Sequence, residues 1–186
     1  MARKSAGGKS RASDSSKSAK RASSITTRLK KLDVELVKRL HERTRLTIES
    51  LSLLSDPKRV LYDPESDDAL WSRLENQSGA LPFAALRGIY RELLSASRRS
   101  IQSTRVAYLG PQFSYTHLAS IERFGKWADL IPVTTIAAVF EEVDRGHAEF
   151  GVVPIENSTD GRIIDTLDMF TRMPLRICGE VQIAIN

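Results

Sequence analysis

VAYLGPQFSYTHLA, residues 106–119, decides the class of the fold. Val106–Leu109 is a short apolar run of strand type, and the Gly110-Pro111 pair turns the chain. Hydroxyl residues Ser114 and Thr116 then stand at the start of a helix expected around Tyr115–Phe124. The same rhythm repeats downstream. Leu130–Val133 reads as a strand, and Ile136–Val143 as a helix with Ile136, Val139, Phe140 and Val143 on one face. Gly146 is a helix stop, Phe150–Ile155 a buried strand and Arg162–Arg172 a further helix, with strand signals returning at Leu175–Cys178 and Val181–Ile185. Strands alternating with helices at this spacing predict βαβ units in a mainly parallel sheet.

Upstream, the period changes from that of mixed elements to one that is helical throughout. Leu29, Leu32, Leu36 and Leu40, then Thr47 and Leu51, follow steps of three and four and form one face of a long helix from Ile25. Asp56-Pro57 breaks it, because proline restricts its predecessor and donates no hydrogen bond. A short second helix is expected through Asp67–Leu74 and a third over Phe83–Ser103, separated by the turn-rich Asn76–Pro82. The expected organisation is therefore an all-α domain at 25–104 and an α/β domain from 105 to 186. Asn186 falls inside an apparent strand, which leads us to expect an incomplete α/β domain.

The net charge of +5 is local in origin. Residues 1–24 hold seven of the 28 Lys and Arg but one of the 23 acids, Asp14, so the rest of the chain carries net −1. This Ser-, Lys- and Ala-rich tail has no large apolar residue after Met1, and its composition predicts disorder without a specific nucleic-acid partner. The single cysteine, Cys178, excludes a disulfide framework within the chain and fits a cytoplasmic setting. No apolar run reaches the ~18–20 residues of a membrane helix.

Two segments carry candidate chemistry in the α/β part. Free backbone N–H groups at the start of the helix after Gly110-Pro111 make an anion site, with Ser114 and Thr116 as added donors; both are equally ordinary N-caps. FGVVPIENSTDG, residues 150–161, runs a buried strand straight into Glu156, Asn157, Ser158 and Thr159, where parallel sheets place ligands. The alternative is a polar turn before a helix capped by Thr159 or Asp160. His117 reads as a packed or capping residue, with a general acid the alternative, His147 as a favourable charge at a helix end, and Trp71 and Trp127 as packing groups. Asp144, Asp165 and Asp168 lack metal-ligand spacing. In the helical part, Arg43 lies on the apolar face, where it requires either a ligand carboxylate or a structural acid among Asp63, Glu65 and Asp67.

YLGP…SYTHLA, VDRGHAEFGVVPIENST, TLDMF and GEVQIAI together closely resemble the prephenate dehydratase family over residues 105–186. The resemblance implies two α/β subdomains arranged like a periplasmic binding protein, with the substrate in the cleft between them. It further implies conversion of prephenate to phenylpyruvate with loss of water and CO2, without metal or organic cofactor. Ser114, Thr116, Glu156 and Asn157 would then bind substrate, and Ser158 and Thr159 would assist departure of the ring hydroxyl. Two departures stand out: Phe113 occupies the family's glycine position, and the family's later Thr-Arg-Phe motif is not in this sequence.

KLDVELVKRLHERTRL, YDPESDDAL and IYRELLSASRRSIQ resemble the all-helical chorismate mutase family, in which three helices per chain form an intertwined dimer. Arg43 matches the first-helix Arg of that family's pocket and Ser97 its third-helix Ser. The expected Lys falls on Leu54, the Arg-Glu pair on Ser66-Asp67, the N-terminal Arg near Thr26 and the Gln on Ile101. One Arg holds a dianion poorly, so the resemblance implies a degraded mutase that serves as a homodimerising module, with chorismate the alternative substrate.

Overall fold

The computed structural model of the chain describes residues 8–53, 64–77, 79–157 and 161–184. Among these lie six helices, α1 (Gly8–Ser52), α2 (Pro64–Glu75), α3 (Phe83–Arg99), α4 (Tyr115–Phe124), α5 (Ile136–Asp144) and α6 (Ile164–Arg172). The strands are β1 (Arg105–Leu109), β2 (Asp129–Val133), β3 (Phe150–Val152), β4 (Glu156–Asn157) and β5 (Gly161–Arg162). The architecture is thus α followed by α/β, divided into two compact units, Met1–Leu46 and Thr47–Asn186.

The first unit is the greater part of α1. The helix runs back to Gly8, through the segment whose composition predicts disorder. That composition lacks the apolar surface to form a core, but Ala, Lys and Arg are good helix formers, and extending an existing helix costs far less than nucleating one. Every side chain from 17 to 39 is exposed.

In the second unit, β1 is the centre of a parallel sheet of order β2-β1-β3. Val106, Ala107 and Tyr108 are buried, as expected for a parallel strand covered on both faces. Val106 packs with Phe124 of α4, Leu130, Phe150 and Val152, while Ala107 faces Val139 of α5, Ala148, Val133 and Val153. Successive residues of one strand therefore anchor a helix on each side. Gly151 permits the approach of α5, because a Cβ there would stand 2.8 Å from Val139 Cγ1. Phe140 of α5 meets Phe170 of α6 edge-on, with ring centroids 5.0 Å apart.

Three differences from the sequence reading have simple causes. β3 ends at Val152 rather than Ile155, since Pro154 has no N–H to give a ladder. Residues 174–184 carry no regular secondary structure, so no strand forms at 175–178 or 181–184: an apolar run becomes a strand only beside a partner's backbone groups, and no described residue supplies them. α6 begins at Ile164 with Ile163 as N-cap and no side-chain cap, because Arg162 is taken into the β4–β5 hairpin. Thr159 and Asp160, the expected caps, lie outside the described residues.

Helix α3 joins the helical hairpin to the sheet. On one face, Arg98 Nη2 donates to both carboxylate oxygens of Asp67 in α2 at 2.7 and 2.8 Å, with these side chains only 13% and 10% exposed. On the other, Arg91 pairs with Glu122 of α4, the Trp127 N–H donates to Ser95 Oγ at 3.2 Å, and Arg99 pairs with Asp129 of β2. The Ser103 hydroxyl and the Arg99 guanidinium together hold the Asp129 carboxyl below the usual carboxylate range.

The closest approach in this joint is at Gly125, which ends α4 with φ +77; a Cβ there would lie 2.5 Å from Ser95 Cβ. Gly146, at φ +72 after α5, has nothing within 4 Å of the same position. Gly146→Ala is expected to cost about 1 kcal/mol for the left-handed backbone alone. Gly125, at φ +77 and ψ 177, is in a region essentially confined to glycine, so Gly125→Ala should cost about 1–3 kcal/mol in backbone strain plus ~1–3 kcal/mol of overpacking. Denaturant unfolding of the two variants reads the difference directly.

Candidate active site

The carboxyl end of β1 opens into a short loop, 110–114, that is held at each step. The Gly110 N–H donates to Val133 O at 2.7 Å and the Ser114 N–H to Pro111 O at 3.2 Å. The Phe113 N–H donates to Nδ1 of His117 at 3.2 Å. Phe113 has φ +69, in the left-handed region that glycine occupies without strain, and its side chain is 79% exposed.

Ser114 is the N-cap of α4, its Oγ accepting the His117 N–H at 3.3 Å. The Ser114 and Thr116 hydroxyls lie 2.9 Å apart, and both reach the terminal carbonyl of β1, Leu109 O. Each hydroxyl has one proton to give. With the proton of the buried Thr116 committed to Leu109 O, the half-buried Ser114 retains a proton shared between that carbonyl and Thr116 Oγ1. An incoming acid or hydroxyl oxygen can therefore compete for the Ser114 proton at small cost. His117 is buried, its ring 5.2 Å from that of Tyr108. Its Nδ1 accepts the Phe113 N–H, and its burial makes it a packed residue.

The second segment leaves the neighbouring strand. Because β3 pairs parallel with β1 in the register Tyr108↔Val152, residues following Leu109 and Val152 emerge at the same edge of the sheet. Glu156 and Asn157 form β4 and pair antiparallel with β5, Glu156 opposite Arg162 and Asn157 opposite Gly161, with the Glu156 side chain exposed. Ser158 and Thr159 lie outside the described residues. The hairpin is held at its base by the Ile163 N–H on Ile155 O at 3.0 Å and by Thr166 Oγ1 on Pro154 O at 2.7 Å. Thr166 was missed by sequence reasoning; the available signal is a hydroxyl in the first turns of an amphipathic helix, where its side chain is fully buried. Arg43 belongs to the other unit, half-buried on α1. His147, just beyond the end of α5, has its Nδ1 3.4 Å from a Glu142 carboxylate oxygen.

The carboxyl ends of parallel strands are where open α/β sheets place their ligands, and this sheet has hydroxyl donors and a polar hairpin there. Residues 106–186 match the family described as Prephenate dehydratase. Similarity to two-function relatives extends across the helical part. The bifunctional chorismate mutase/prephenate dehydratase of Aquifex aeolicus is 36% identical over 161 residues, 84% of this chain and 44% of that protein. That of Pseudomonas aeruginosa is 33% identical over 168 residues, 87% of this chain and 46% of the relative. The chain thus spans less than half the length of these curated relatives. A prephenate dehydratase from Streptococcus mutans, solved by X-ray, shares 34% identity over 39% of this chain and 38% of its own, with a TM-score of 0.37.

The Thr166 contact makes a specific prediction. Thr166→Val keeps the shape but leaves the Pro154 carbonyl without that donor, which should cost about 1–2 kcal/mol. Hydrogen exchange at the Ile163 amide should quicken, since its bond to Ile155 closes the same hairpin.

Proposed function

We propose that the chain contributes the first α/β lobe of a prephenate dehydratase, which converts prephenate to phenylpyruvate, water and CO2. The family match of residues 106–186 carries the reading, and the swappable Ser114 proton at the sheet edge gives it a chemical basis. On this reading the lobe is one of two subdomains of periplasmic-binding-protein type, with substrate in the cleft. Ser114, Thr116, Glu156 and Asn157 anchor it, and Ser158 and Thr159 are the catalytic hydroxyls. The ring hydroxyl leaves as its C–O bond breaks, taking up a proton to become water. The ring carboxylate departs as CO2, and its bonding pair enters the ring, which becomes aromatic. Hydroxyl donors beside the departing oxygen stabilise the charge that develops there.

The helical part, 25–104, reads as a mutase-derived dimerising module. Asp67, at the position of the family's Glu, is engaged by Arg98, and the Ser97 hydroxyl donates to Leu93 O at 2.7 Å. Both polar groups are thus occupied within the hairpin. Ile25, Leu29, Leu32 and Leu36 form a stripe on α1 that is 48–60% exposed. Covering each such side chain in a second copy is worth roughly 1 kcal/mol or more. Among the described residues no helix is long and apolar enough to cross a membrane; a cytoplasmic homodimer completes the proposal.

Prephenate and chorismate turnover test the assignment, measured on this chain and on a form extended to the length of its relatives. The extended form is expected to release phenylpyruvate from prephenate, and neither form to consume chorismate. Rearrangement of chorismate by this chain would overturn the non-catalytic reading of the helices. For the dimer, Leu32→Glu together with Leu36→Glu should halve the mass measured by sedimentation equilibrium while leaving the α/β lobe folded.

A further inference from the structure

The least comfortable residue at the sheet edge is Phe113. A non-glycine residue at φ +69 pays a steric cost that its own side chain does not recover, because the ring is 79% exposed. Something must hold it there, and the structure identifies the holder. His117 accepts the Phe113 N–H on Nδ1 at 3.2 Å and gives its own backbone N–H to Ser114 Oγ at 3.3 Å, so one residue fixes two successive positions. His117 is itself immobilised: it is buried, stacked at a tilt on the buried Tyr108, and meets the Phe113 ring edge-on with centroids 5.6 Å apart. The outcome is an exposed aromatic ring beside the hydroxyl whose proton is free to exchange partners.

An exposed, strained aromatic next to polar donors suits a ligand with an apolar ring and acidic substituents: donors take the acid, and the aromatic face takes the ring. We propose that Phe113 is a specificity-determining residue that packs against the six-membered ring of the substrate, and that His117 is the positioning residue that holds Phe113 there. The proposal rests on the dehydratase reading above. Phe113 acts on binding of the ring rather than on C–O cleavage, so its removal shows in KM and not in kcat. The hydrogen bond by which the His117 side chain holds the Phe113 backbone is the one to Nδ1, so a side chain that replaces this acceptor keeps Phe113 in place.

The test is prephenate kinetics and thermal melting of the protein extended to the length of its relatives. Phe113→Gly should raise the melting temperature by relieving the left-handed strain, yet raise KM about three- to tenfold, the range of an aromatic contact, with kcat little changed. Phe113→Leu keeps the strain and loses the ring, and should raise KM without the gain in stability. His117→Asn, whose Oδ1 replaces Nδ1 as acceptor, should stay near the wild-type KM, while His117→Leu should raise it. A Phe113→Gly variant with unchanged KM overturns the proposal, as does a His117→Leu effect that persists when Phe113 is already glycine. Wild-type protein that leaves prephenate untouched overturns the dehydratase reading itself, and this inference with it.

Discussion

A single short strand covered on both faces organises the second unit. Val106 and Tyr108 point to the α4 side and Ala107 to the α5 side, so burying β1 obliges the chain to supply a helix for each face and a strand along each edge. Gly151 follows from the same demand, since α5 reaches the sheet only where β3 has no Cβ. The last carbonyl of β1, Leu109 O, emerges from this covered strand and receives the Ser114 and Thr116 hydroxyls. The donors of the candidate site therefore also serve to satisfy a strand end, and that keeps them oriented before any ligand arrives.

Most of the α/β lobe was legible in the sequence because its signals are local and agree with one another. The helix at Tyr115–Phe124 and the stop at Gly146 follow from capping and periodicity, and the structure places them where those signals fall. Signals that depend on a distant partner were not legible. The run from 174 to 184 has strand composition and no ladder partner among the described residues, while 8–24 has the composition of a tail and the conformation of a helix. The same division runs through the site. Ser114 and Thr116 could be read as N-cap hydroxyls, but the convergence of both on Leu109 O could not, nor could the Thr166 bond to Pro154, because both depend on tertiary geometry.

The polar residues of α3 illustrate how one helix serves two neighbours. Arg98 turns toward Asp67 in a pair shielded from water, where hydrogen bonds from Nη2 to both carboxylate oxygens offset desolvation. Arg91, Ser95 and Arg99 turn toward the sheet side, where the partners are Glu122, the Trp127 amide and Asp129. Of these, the Arg99–Asp129 pair is the most open to solvent and individually weak. Together they fix the rotation of the helix, because residues one to four apart cannot all find their partners at any other setting.

The contact between Ser95 and Gly125 has a consequence for recombining such proteins. One residue belongs to the helical segment and the other to the turn after α4, and each limits the size of the other. A helical hairpin transplanted from a relative would fit this lobe only if its residue at position 95 were small. A lobe from a relative with a side chain at position 125 would in turn demand a different hairpin. The seam between the two segments is therefore best crossed with both residues taken from the same parent, and a junction in the 100–104 linker, where the sequence alone invites a cut, would separate them.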